Sequence, residues 1–156
     1  EIYALPDSPQ YAITHYNYSN LDEFVKRSLR YAEIQAGELV KDKKYRLSSA
    51  DLILKPTGEF LSRFFAGAGY KDGIHGLALA LLQSYSVALI YLKVWERQKY
   101  EKKSLEDKKI KEIFGRLIYE IDYWYTQWWL GKVNKTKKTF WEVVFHFKAL
   151  LLKLIK

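Results

Sequence analysis

Apolar residues recur at helical spacing along most of this chain, and where the period lapses the sequence supplies caps, turns or runs of charge. Over residues 21–40, Leu21, Phe24, Val25, Ala32, Gln35, Ala36 and Leu39 keep a helical period with charges on the other face, and Asn20 and Glu23 stand at capping-box spacing. "KDKKYRLSS" then ends the period, and a second start follows near Ser49. Pro56 is expected to break that helix, since its ring excludes the preceding carbonyl and it has no N–H to donate. "TGEFLSRFFAGAGYKDG" comes after it, with its glycines read as a break between helices.

From Gly73 to Leu92 there is no Lys, Arg, Asp or Glu. The stretch Ile74–Leu92 would span about 28 Å as a helix, close to the roughly 30 Å of a bilayer's hydrocarbon. Steps of 100° put Ile74, Leu77, Leu81, Tyr85, Leu89 and Leu92 on one arc and gather His75, Gly76, Gln83 and Ser86 opposite. That asymmetry predicts a helix with one wet or protein-facing side. "ERQKYEKKSLEDKKIKE" follows as a mixed-charge spacer, in which Asp107/Lys111 and Glu112/Arg116 are expected to pair.

A fourth helix over about 107–130 carries Ile110, Ile113, Phe114, Leu117, Ile121, Trp124 and Trp128 at helical spacing. A fifth starts at a capping box, Thr139 with Glu142, and its wheel is apolar except for a strip of Glu142, His146, Lys153 and Lys156 and a stray Lys148. Such a broad apolar face suits an interfacial helix. At the other end, "EIYAL" and "QYAITHY" alternate like strands around "PDSP", and two strands alone do not make a stable unit. The expected fold is therefore mainly α: an N-terminal two-stranded β-ribbon followed by about five amphipathic helices. Its expected divisions are 1–20, the end of an upstream domain; 21–98, a helical membrane-association region; and 99–156, an aromatic and basic helical extension.

Charge sharpens this picture. Residues 1–58 hold eight basic and eight acidic side chains, whereas 59–156 hold eighteen basic and ten acidic, together with all five Trp. A basic, aromatic half suits an anionic membrane surface or a nucleic acid. The aromatics follow helical apolar periods, which disfavours nucleic acid as a partner and favours core or lipid contact. Trp128 and Trp129 stand beside Lys132, Lys135, Lys137 and Lys138, the pairing expected where rings sit at headgroup depth and ammonium groups meet phosphate. Lys71, Lys93, Trp95 and Trp141 complete the candidate membrane-binding set. A soluble interaction or oligomerisation module, with the same faces packed together, and a transmembrane anchor are the alternatives.

Catalytic chemistry is sparse. The chain has no Cys, so thiolate nucleophiles and thiolate metal sites are excluded, and His15, His75 and His146 are too far apart for a spaced metal motif. No GxSxG, P-loop or GxGxxG occurs. The absence of Met and the abrupt opening lead us to expect further chain upstream.

"ITHYNYSNLDEFVKRSLRYAEIQAGEL" and "KPTGEFLSRFFAGAGYKDGIHGLALALLQSYSVALIYLKVWERQ" together resemble the C-terminal region of bacterial family 2 glycosyltransferases of the lipopolysaccharide-core and cell-envelope type. The resemblance covers residues 13–98. It implies an upstream GT-A catalytic domain, a nucleotide-sugar donor and a divalent metal, Mg or Mn, held in that domain, with no cofactor on this segment. It also implies transfer of the sugar to a lipid-linked or envelope glycan acceptor at the cytoplasmic face of the inner membrane. Of the residues present, only His15 matches a position that would reach the metal or the donor diphosphate. No DxD or QxxRW is present, and "LED" at 105–107 falls in the charge run, so no catalytic residue is assigned.

Overall fold

The computed structural model describes residues 18–133 and 144–145, and within them the chain is mainly helical. The expected β-ribbon, the loop lysines Lys135, Lys137 and Lys138, and all of the fifth helix except residues 144–145 lie outside the described residues, as do His15 and Trp141.

Helix α1, Leu21–Lys41, starts where the sequence predicts. The Asn20 side chain accepts the Glu23 N–H at 2.9 Å, but Glu23 reaches one residue further back than a capping box, to the amide (2.9 Å) and hydroxyl (3.0 Å) of Ser19. Those two bonds to its charged form, the backbone one first, hold the Glu23 carboxyl below the usual glutamate range. Helix α2, Ser49–Leu61, does carry a full capping box, between Ser48 and Asp51.

The break expected at Pro56 is absent, and α2 runs through it for another turn. The Pro56 ring is buried, the Thr57 hydroxyl bonds the Ile53 carbonyl at 2.8 Å, and the Ser84 hydroxyl bonds the Pro56 carbonyl at 2.8 Å. Packing against the following helix thus offsets what proline costs locally. The helix ends instead in a π-helical turn, Ser62–Ala66. Ala68 lies in the left-handed region, and a short 3₁₀ turn, Gly69–Asp72, leads into α3, Gly73–Arg97.

Helix α3 is the centre of the fold. Helix α1 runs beside it in the same direction, Ser28 meeting Ser86 and Glu33 meeting Lys93 and Arg97. Helix α2 runs the opposite way, from Leu47 beside Gln98, past Pro56 at Ser84, to Gly69 against Gly76. Helices α1 and α2 both pack on α3 and not on each other. They converge only at one end, where Ala36, Leu47 and Val94 form a buried cluster edged by Leu39, Val40, Tyr45, Leu52 and Tyr91. There burial, and then the neighbouring Asp51 carboxylate, push the Tyr45 hydroxyl up to about 12.

The mixed-charge run is exposed over residues 101–108, as a spacer would be, and it is tethered at that same end. Gln98 accepts from the Leu47 N–H and donates to the Tyr45 carbonyl, both at 3.1 Å, and the Lys103 ammonium donates to the Leu47 carbonyl at 2.8 Å. Helix α4, Asp107–Leu130, then packs on α2 and the π-helical turn. Its ion pairs are Lys109–Glu112 and Arg116–Glu120 in place of the expected Asp107/Lys111 and Glu112/Arg116. Both are alternatives of similar helical spacing, and choosing between them costs little for exposed side chains.

Candidate membrane interface

The contact surface of α3 is made from its small and polar residues. Gly76, Ala80 and Val94 are its buried positions, and Ser84 and Ser86 supply the hydrogen bonds to α2 and α1. Gly76 permits the closest approach: a Cβ there would sit 1.9 Å from the Gly69 carbonyl oxygen. Several of its large residues point the other way, although Val94 and Tyr91 belong to the buried cluster and Leu79, Leu82, Leu89 and Ile90 are half-buried. Ile74 is 85 % exposed and Leu81 55 %, and Leu77, Tyr85, Leu92 and Trp95 are exposed with them. A water-soluble helix normally does the reverse, because each large aliphatic side chain left in water forgoes about 1.5–3 kcal/mol of burial.

Helix α4 also leaves large apolar residues in the open, although it buries others. Ile113 and Leu130 are buried, whereas Phe114, Ile118, Ile121 and Tyr125 form one exposed stripe at i, i+4, i+7 and i+11. The stripe leads toward Trp128 and Lys132. The Lys132 ammonium lies 5.4 Å from the Trp128 ring centre and 5.6 Å from that of Tyr70, and the two rings meet edge to face at 6.1 Å. The Trp128 indole N–H is buried without a hydrogen-bond partner among the described residues. Trp129 packs edge to face with Phe145 at 6.0 Å.

The candidates from sequence thus fall into separate groups. Trp128, Trp129 and Lys132 come together at the end of α4, near the 3₁₀ turn that holds exposed Lys71. Lys93 is elsewhere, bound to Glu96 at 2.6 Å and Glu33 at 3.5 Å, so its charge is already matched. Trp95 is half-exposed beside Tyr100, its N–H donating to the Glu101 carbonyl at 3.2 Å. His75 is exposed and lies eleven residues along α3 from Ser86, about 16 Å at the helical rise, so the polar strip of the sequence does not assemble into one site. Among the described residues no three His, Asp or Glu side chains converge where a metal ion could be held.

Sequence reasoning missed a cleft between α1 and α3, of about 270 Å³, lined among others by Tyr18, Arg27, Ser28, Tyr31, Gln35, Gln83 and Ser86. The signal was available, since Ser28 and Gln35 interrupt the packing face of α1 much as Gln83 and Ser86 interrupt that of α3.

The chain matches no known protein-family model, no curated protein and no solved structure.

Proposed function

We propose that this chain is a membrane-association module that lies on an anionic bilayer surface. The observation that carries the reading is the orientation of α3: Gly76, Ala80, Ser84 and Ser86 face the protein, and an arc of Ile74, Leu77, Leu81, Tyr85 and Leu92 faces outward. The exposed stripe of α4, with Trp128 and Lys132 at its end, is of the same kind and adds the aromatic and cationic groups that favour headgroup depth.

By length and composition the helical stretch Gly69–Arg97 could also cross a bilayer. Against a crossing stands α1, which runs beside α3 and exposes Lys26, Arg30 and Glu33 along the way. A spanning α3 would draw those charges into hydrocarbon, at a cost of several kcal/mol each by insertion scales. An in-plane α3 leaves them in water.

The wider role we propose rests on the resemblance of residues 13–98 to envelope glycosyltransferases. In that role the module holds a nucleotide-sugar-dependent transferase at the cytoplasmic face of the inner membrane, where its lipid-linked or envelope glycan acceptor resides. Catalysis would belong to a GT-A domain and not to the residues described.

Flotation tests the membrane reading. The full chain should rise with phosphatidylglycerol vesicles at low ionic strength and be partly released by high salt or alkali, as a peripheral protein is. Remaining at the bottom of the gradient at low salt would overturn the proposal in favour of a soluble packing module. Resistance to both salt and alkali would overturn its in-plane form in favour of a spanning anchor.

A further inference from the structure

The α1/α3 cleft has a lining that the membrane face does not require. Its inner wall is made of buried Phe24, Ser28 and Ala32, and the Ser28 and Ser86 hydroxyls meet across it at 2.9 Å. Gln35 and Gln83 line it from opposite helices, Gln35 exposed and Gln83 half-buried. A glutamine amide offers both a donor and an acceptor.

Arg27 is the only formally charged residue in the lining. Glu23, one turn before Arg27, is bound by the Ser19 amide and hydroxyl and also feels the Arg27 charge, and Glu33 is bound by Arg97 and Lys93. A second guanidinium, that of Arg30, lies 5.4 Å from the ring centre of Tyr31, itself part of the wall. With one arginine and no acid in the lining, the cleft favours an anion over a metal ion or an ammonium group. A volume of about 270 Å³ lies just below the roughly 300–1,000 Å³ found for ligand pockets, which limits an occupant to about monosaccharide size.

We propose that this cleft binds a phosphate ester of a sugar or similar polyol. Arg27 meets the phosphate with charge-assisted hydrogen bonds, Gln35, Gln83 and the serine hydroxyls meet polyol hydroxyls, and Tyr31 offers a ring face to the C–H side of the polyol. The same chemistry is found in a soluble sugar phosphate and in the headgroup of a glycosylated or inositol phospholipid. The inference rests on the lining alone, so failure of vesicle flotation would leave it standing.

The test titrates the full chain with glucose 1-phosphate, glucose and inorganic phosphate by calorimetry, and separately compares vesicles carrying phosphatidylinositol with vesicles carrying phosphatidylglycerol at equal charge. Glucose 1-phosphate should bind more tightly than glucose or phosphate. Arg27→Ala should weaken it by about tenfold or more and Gln83→Ala by several-fold, with unchanged circular dichroism. A soluble source is indicated if the two vesicle types bind alike. A lipid source is indicated if phosphatidylinositol binds better and Arg27→Ala abolishes the difference. No heat of binding with glucose 1-phosphate, or binding that neither folded variant alters, overturns the proposal.

Discussion

Two glycines define how closely this fold is built. Gly76 has the Gly69 carbonyl where its Cβ would be, at 1.9 Å, whereas Gly58, inside α2, has nothing within 4 Å of that position. The same chemical change should therefore have opposite signs. Gly76→Ala forces two backbones apart and should cost about 1–3 kcal/mol, while Gly58→Ala removes backbone freedom from the unfolded chain and should stabilise by about 0.4–1 kcal/mol. Denaturant unfolding of the two variants measures both. Glu33 provides a prediction in pH. The hydrogen bond from Arg97, and then the charges of Arg97 and Lys93, lower its carboxyl from the ordinary 4.5. A lowered carboxyl adds stability that is present above 4.5 and is lost as pH falls through the folded-state value. Thermal midpoints should thus fall more steeply on acidification below that point in the parent chain than in Glu33→Gln. Neither residue announces itself in sequence: glycines occur in both helices, and Glu33 has nearer lysines and arginines in the chain than Arg97. Only the packing of α1 and α2 on α3 distinguishes them.

Helix by helix, the periodicity carried most of the information. The starts of α1 and α4 and the asymmetric wheel of α3 follow from local spacing and capping, which depend on a few neighbouring residues. Pro56 did not follow, because its tolerance comes from Ser84, twenty-eight residues away. The ion pairs of α4 did not follow either, since several exposed pairings of nearly equal worth compete there. The outward arc of α3 makes its own prediction, in which stability and vesicle binding separate. Leu81→Gln changes a side chain in solvent and should leave unfolding within about 0.5 kcal/mol of the parent, yet reduce flotation by about tenfold, the value of one burial lost from lipid. Ala80→Leu, at a position only 1 % exposed, should do the reverse: it should unfold about 1–3 kcal/mol more easily and, where folded, still float. If Leu81→Gln destabilises the chain as Ala80→Leu does, the arc is a packing face and not a lipid face.

The described residues form a series of pairwise contacts, α1 to α3, α3 to α2 and α2 to α4, with a small shared cluster. Such an arrangement cannot be read from sequence, because each amphipathic stripe fits several partners equally well, and the tether of Gln98 and Lys103 to the Leu47 loop helps fix where α4 returns. The parallel course of α1 beside α3 has a consequence for the proposed interface. With the charges of one helix alongside the greasy side of the other, immersion must stop about 5–10 Å deep, at the boundary between headgroups and acyl chains. A device seated at that level is blind to how thick a bilayer is. In the role we propose, it would respond instead to how loosely the leaflet beneath it is packed, and so to curvature and to the crowding of lipid heads around it.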